Sequence, residues 1–186
     1  MKPLSKIIEK YAAFEAEVGA YTKKIFQKSC SACNGACCRP EICEESLTSP
    51  FLTRLRQRFA PDAVFSDGRG WLKPTGCALP VGRPPVCYQF FCDAVFENRQ
   101  TAEFRYAVSI LSNLVNHVGK KALGGKHIVE LQDSSELKRV NYTRFEKKLN
   151  EATRTFQLVR AYLNGNIAEL NSSPTLKKIS APPQSN

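Results

Sequence analysis

Long apolar runs are missing from this sequence of 186 residues. No stretch of about 18 consecutive apolar residues occurs, so the sequence predicts no membrane-spanning helix. Charged residues interrupt the first 26 positions, from Lys6 to Lys24, which does not fit a secretory signal peptide. A composition with 42% hydrophobic and 24% charged residues excludes collagen-like, mucin-like and wholly disordered chains. We therefore expect a globular cytoplasmic protein.

Familiar catalytic signatures are also absent. The sequence contains no serine-nucleophile motif, no zinc-protease motif and no dinucleotide fingerprint. Histidine occurs only at His117 and His127, and we expect both to be structural or solvated, since they lie outside the cysteine-containing part of the chain. The residues alone therefore indicate no enzymatic activity.

Cysteine is unevenly distributed. All eight cysteines lie between Cys30 and Cys92, and residues 93–186 contain none. Four of them form a CxxCxxxCC motif within nine residues: Cys30, Cys33, Cys37 and Cys38. Two cysteines separated by two residues can direct both sulfurs at one metal ion. In a reducing compartment, clustered thiols of this kind are more often metal ligands or redox centres than disulfides.

A second motif, CxLxxxRPxxCx4C, follows downstream with Cys77, Leu79, Arg83, Pro84, Cys87 and Cys92. Together the two motifs resemble the YkgJ-like cysteine-cluster family, which is described as zinc- or iron-chelating, over roughly residues 30–92. Where that family often has a Cys-x-Phe-Leu element, this chain has Gly70-Trp71-Leu72, and Cys43 could be the replacement. The cluster is also similar to one in bacterial flagellin lysine methylases, which are thought to use an iron–sulfur centre.

The hypothesis that follows is a cysteine-cluster metalloprotein. Its candidate ligands are Cys30, Cys33, Cys37, Cys38, Cys43, Cys77, Cys87 and Cys92. Arg83 would donate toward the charge of the centre and Pro84 would fix the loop beside it. All-thiolate ligation suits zinc or an iron–sulfur cluster such as 4Fe–4S, and the spacing does not decide between them. The resemblance favours iron–sulfur, whereas composition alone favours zinc.

The flanking sequence predicts a mainly α fold, with long helices bracketing the irregular segment 30–92. Apolar spacing predicts helices over 3–27, 100–123 and 143–164, the second ended by Gly124-Gly125 and the third begun by a capping box of Thr143 and Glu146. Ser49-Pro50 has the form of a helix start before a short helix through Phe59. We expect one domain over 1–170 and a disordered tail over 171–186.

The net charge of +10 leaves other partners open. A basic nucleic-acid-binding adaptor with structural zinc is one alternative, although basic helix faces are more often solvated. An iron–sulfur-dependent enzyme or accessory factor for protein modification is another. The apolar stripe of the N-terminal helix could also contact a protein partner, although packing on its own core is the simpler interpretation.

Overall fold

The computed structural model describes residues 3–27, 39–74, 76–91, 95–96, 101–170 and 173–180. It confirms the mainly α class and the long helices on either side of an irregular segment. The α-helices are α1 (Pro3–Ile25), α2 (Pro40–Cys43), α3 (Glu45–Thr48), α4 (Pro50–Phe59), α5 (Ala102–Gly119), α6 (Ser134–Lys138), α7 (Tyr142–Leu163) and α8 (Pro174–Ser180). Short 3-10 turns cover Pro85–Tyr88 and Ile128–Glu130.

A two-stranded antiparallel hairpin lies inside the cysteine-containing segment. Strand β1 (Leu72–Lys73) pairs with β2 (Gly76–Cys77), so that Leu72 is opposite Cys77. This register fixes the position of one candidate ligand relative to Trp71, whose carbonyl accepts a hydrogen bond from the N–H of Ala78.

Helix α5 is the centre of the core. It packs against α1, α7, α8 and the 3-10 turn at Pro85–Tyr88. Its side chains at Ile110, Leu111 and Leu114 are almost wholly buried. Burial of this kind contributes roughly 1.5–3 kcal/mol for each large apolar side chain, so α5 holds the other helices together.

The apolar stripe of α1 faces this core. Its five central members are buried: Ile7, Tyr11, Phe14, Val18 and Tyr21. The packing interpretation of the stripe is therefore correct, because these side chains contact the chain's own core and do not form an exposed face for a partner helix.

Helix starts follow side-chain capping. Ser49 accepts a hydrogen bond from the N–H of Leu52 at the start of α4, as the sequence predicts. At α7 the predicted capping box is wrong: Asn141 is the N-cap and accepts from the N–H of Arg144, while Thr143 lies inside the helix. Asparagine is favoured over threonine at the N-cap, and Asn141 holds that position here.

Helix α5 ends at Gly119, earlier than the sequence predicts. Gly124 and Gly125 instead form a turn in which Leu123 pairs with Lys126. The His127 ring packs directly on Gly119, where any Cβ would overlap its atoms. The chain thus folds back over the helix end, and glycine is required there for close approach.

The predicted disordered tail is wrong for residues 174–180. These residues form α8, which packs on α5 and α7 and buries Leu176 and Ile179. The other residues of 171–186, apart from Ser173, lie outside the described residues. Two apolar side chains three positions apart were enough to dock a short helix despite the polar composition.

No helix among the described residues is both long enough and apolar enough to cross a membrane.

Candidate metal centre around Arg83

A buried carboxylate on α1 holds the loop that carries the second cysteine motif. Glu15 is wholly buried, and its Oε2 accepts a hydrogen bond from the N–H of Gly82 at 2.8 Å. Its Oε1 accepts from the N–H of Arg83 at 3.0 Å and from the hydroxyl of Tyr88 at 2.8 Å. Burial raises the pKa of Glu15, and these three donors oppose that shift by favouring the charged form. Helix α1 and the loop are therefore joined by one polar anchor.

Local geometry of the loop depends on Gly82 and the prolines after it. Gly82 has φ +82°, and an added Cβ would lie 3.1 Å from the Cβ of Leu55 on α4. Pro84 is buried and precedes the 3-10 turn, and its carbonyl accepts a hydrogen bond from the N–H of Cys87 at 2.9 Å. The fixed φ of proline and this bond set the direction in which Cys87 leaves the loop.

Arg83 occupies the centre of the site. Its Nε donates to the carbonyl of Leu79 at 2.7 Å, and its guanidinium lies 5.9 Å from the centre of the Tyr88 ring. Burial disfavours its charge, but the neighbouring Tyr88, Cys77, Glu15 and Cys87 together raise the pKa of Arg83. The guanidinium is thus a permanent cation within electrostatic range of two candidate ligands.

Those two cysteines come from different elements. Cys77 lies on β2, Cys87 lies in the 3-10 turn, and both are partly exposed. Both lie within electrostatic range of Arg83, and cysteine binds metal as the thiolate. The arrangement fits the charge that a thiolate metal centre would place there.

Cys43 has a different environment. It is 3% exposed and belongs to a small apolar cluster with Ala60, Trp71 and Leu79, separate from the main core. A Cβ on Gly70 would lie 2.8 Å from its Sγ, so the thiol is closely covered on that side. Cys77 packs against the same cluster. Cys43 is thus as buried as a structural cysteine, and it lies in the same cluster as Cys77, another candidate ligand.

Trp71 is the largest member of that cluster and is fixed by polar contacts. Its Nε1 donates to Ser46 Oγ at 2.6 Å, and Ser46 Oγ donates to the carbonyl of Cys43 at 2.6 Å. The guanidinium of Arg56 lies 5.5 Å from its ring centre. This chain of contacts connects the backbone of Cys43 to the segment that precedes the hairpin.

The remaining candidate ligands, Cys30, Cys33, Cys37, Cys38 and Cys92, lie outside the described residues. Across residues 3–27, 39–74, 76–91, 95–96, 101–170 and 173–180, no group of three or more His, Cys, Asp or Glu side chains could hold a metal ion. Cys43, Cys77 and Cys87 therefore do not make a complete metal site by themselves.

Both histidines are engaged elsewhere. His127 donates from Nε2 to the carbonyl of Asn116 at 2.9 Å and accepts from the N–H of Val129 at Nδ1. His117 contacts Glu151 at 2.8 Å through Nε2. The expectation of structural histidines agrees with these contacts.

Glu15 and Tyr88 were not among the candidate site residues, although both determine the position of Arg83. Glu15 follows Tyr11 by four positions and precedes Val18 by three, which places a carboxylate on the buried face of α1. A charged residue inside an apolar stripe is the signal that could have identified it. Tyr88 carries no comparable signal.

Comparison with protein-family models, curated proteins and solved structures finds no match for this chain.

Proposed function

We propose that this protein binds a metal centre through cysteine thiolates, as an iron–sulfur cluster or zinc, in a reducing compartment such as the cytoplasm. The ligands would come from Cys30, Cys33, Cys37, Cys38, Cys77, Cys87 and Cys92, with Cys43 as an eighth candidate. The observation that most supports the proposal is that Cys77 and Cys87 both lie within electrostatic range of Arg83. Glu15 fixes the position of Arg83 by accepting a hydrogen bond from its backbone N–H.

The charge of such a centre explains why a cation is needed. Four thiolates around Zn²⁺ leave about two negative charges on the site, and iron–sulfur clusters with four thiolates are also anionic. A partly buried anion is stabilised by a fixed neighbouring cation, because the local dielectric constant is lower than that of water. Arg83 would supply that cation, and Pro84 would fix the backbone between Arg83 and Cys87.

The direct experiment is purification of the full chain without oxygen, followed by metal analysis, sulfide analysis and a visible spectrum. Iron with sulfide and broad visible absorption would identify a cluster, and zinc in a colourless protein would identify a zinc site. The variants Cys77→Ser and Cys87→Ser should lose bound metal, whereas Ala78→Ser should retain it, since Ala78 is partly buried beside Cys77 without a thiol. Wild-type protein without stoichiometric metal would refute the proposal.

The role of Arg83 can be tested separately. Arg83→Gln should increase the rate at which a chelator removes the metal, because the charge of the centre is then uncompensated. Arg69→Gln is the matched control, since Arg69 is exposed in the same segment. Equal rates in the two variants would show that Arg83 does not act on the centre.

A further inference from the structure

One arginine of α4 has a buried N–H without an acceptor. The Nε of Arg56 is buried and has no hydrogen-bond partner among the described residues. Arginine stays protonated in proteins and has no acceptor atom, so this nitrogen is a donor in every state of the side chain. Buried donors are nearly always paired, because an unmade hydrogen bond leaves the desolvation cost of the N–H uncompensated. We therefore expect an acceptor beside this nitrogen.

The other two arginines of the same helix already have acceptors. Arg54 donates to a serine hydroxyl at 2.9 Å, and Arg58 donates to a glutamate carboxylate at 2.6 Å. Arg56 instead has its guanidinium 5.5 Å from the centre of the Trp71 ring. The ring attracts the cation, but this contact leaves Nε without an acceptor.

Two contacts place Arg56 beside the candidate metal centre. The first is with Trp71, a member of the apolar cluster against which Cys77 packs. The second is with the Arg83 loop, because a Cβ added to Gly82 would lie 3.4 Å from the backbone nitrogen of Arg56. Arg56 is therefore adjacent both to the segment that leads into the Cys77 hairpin and to the loop that carries Arg83.

We propose that the Nε–H of Arg56 donates to an anionic sulfur of the metal centre, an inference that rests on the proposed function. No described sulfur accepts this N–H in the structure. The acceptor is thus a sulfur that takes its place when the centre assembles, either a ligand thiolate or an inorganic sulfide. Hydrogen bonds to metal-bound sulfur are one of the ways in which a protein tunes such a centre.

The charge of the centre matches two arginines better than one. Four thiolates around Zn²⁺ leave about two negative charges. Arg83 provides one positive charge from the loop, and Arg56 provides the second from α4. A donor that carries a charge also forms a stronger hydrogen bond to an anionic acceptor than a neutral donor does.

Removal of the metal by a chelator tests this bond in the full metal-loaded chain, prepared without oxygen. Arg56→Met keeps an unbranched side chain beside Trp71 but has no donor, and it should release metal about tenfold faster than wild type or more. Arg58→Met is the matched control, because Arg58 is an exposed residue of the same helix, and its rate should stay within about twofold of wild type. Equal rates for the two variants would mean that water satisfies the Nε of Arg56, and would overturn the inference.

Tryptophan emission shows whether the variant acts through packing instead. Trp71 is the only tryptophan of the chain, so its emission maximum reports on the cluster beside Arg56. Faster release with an unchanged emission maximum supports a direct bond. If Arg56→Met exposes Trp71, Arg56→Lys is measured in its place, since it keeps a cation near the ring but lacks the Nε–H. Release from Arg56→Lys as slow as from wild type would then overturn the inference.

The source of the sulfur decides the second readout. In a zinc protein the acceptor is a thiolate, and the Nε–H of Arg56 should resonate downfield of the Nε–H of Arg58, each assigned by its loss in the methionine variant. In an iron–sulfur protein, Arg56→Met should lower the reduction potential, because the N–H stabilises the more negative reduced centre. Replacement of sulfide by selenide should alter that decrease where the acceptor is sulfide and leave it unchanged where the acceptor is a thiolate.

The outcomes separate this inference from the proposal on which it rests. Wild-type protein without metal would refute the proposed function itself. Metal-loaded protein in which the Arg56 resonance coincides with that of Arg58, or in which Arg56→Met has the reduction potential of wild type, would overturn the role of Arg56 alone.

Discussion

Replacing Glu15 by glutamine tests whether a buried carboxylate joins α1 to the Arg83 loop. The carboxylate accepts three hydrogen bonds, from Gly82, Arg83 and Tyr88. Glutamine has one acceptor oxygen, and its amide group would face a backbone N–H. A hydrogen bond to a charged group contributes about 1.5–3 kcal/mol, and one unsatisfied buried donor costs about 1–3 kcal/mol. We expect Glu15→Gln to lower the free energy of unfolding by about 2–4 kcal/mol.

The assay is urea unfolding with the midpoint temperature as a second readout. For a chain of this size, the expected loss corresponds to a midpoint shift on the order of 10 °C. Glu17→Gln is the matched control, because Glu17 is an exposed residue of the same helix paired with Arg160, and exposed pairs contribute about 0–1 kcal/mol. A double-mutant cycle with Tyr88→Phe should give a coupling energy of at least about 0.5 kcal/mol. Equal losses for Glu15→Gln and Glu17→Gln would refute the reasoning.

Three further predictions concern the helices. The folded-state pKa of His117, about 4, is below its ordinary 6.5, so stability is full above pH 6.5 and is lost as the pH falls toward 4. That loss is about 3 kcal/mol, and urea unfolding across this range should show a shallower pH dependence for His117→Gln than for the wild type. Asn141 caps α7, so Asn141→Ala should lower the free energy of unfolding by about 1 kcal/mol, whereas Thr143→Ala should lower it by less than about 0.5 kcal/mol. A larger loss for Thr143→Ala in urea unfolding would instead support the predicted capping box of Thr143 and Glu146. Gly119→Ala should lower the free energy of unfolding by at least about 1–3 kcal/mol, because its Cβ would overlap the His127 ring. Gly125→Ala is the control and should be nearly neutral, because a Cβ there has open space. Equal melting temperatures for the two variants would contradict the packing at Gly119.

Periodicity predicts the long helices well because their buried faces are local patterns. The predicted 3–27, 100–123 and 143–164 correspond to Pro3–Ile25, Ala102–Gly119 and Tyr142–Leu163. The ends are less predictable, because an end depends on which group reaches it from elsewhere. Gly119 ends α5 where the chain folds back over it. No pattern within the helix itself carries that information.

In the candidate site, too, the features set by residues close in sequence are predictable, and those set by residues far apart in sequence are not. Cysteine spacing places Cys77 and Cys87 near Arg83 because all three lie within one short segment. The anchor of that segment is Glu15, which is 68 residues away from Arg83 in the chain. Sequence reasoning can place Glu15 on the buried side of α1, but only the packed structure shows which donors it meets.

The distribution of positive charge bears on the nucleic-acid alternative. Several exposed cations pair with carboxylates on another element: Lys10 with Glu146, Arg58 with Glu9, and Arg160 with Glu17. A protein that binds a nucleic-acid backbone instead presents its cations on one exposed face, available for phosphates. Arg83, which is only partly exposed, lies within electrostatic range of two candidate ligands, Cys77 and Cys87. These ion pairs leave fewer exposed cations available to the phosphates of a nucleic acid than the net charge of +10 suggests.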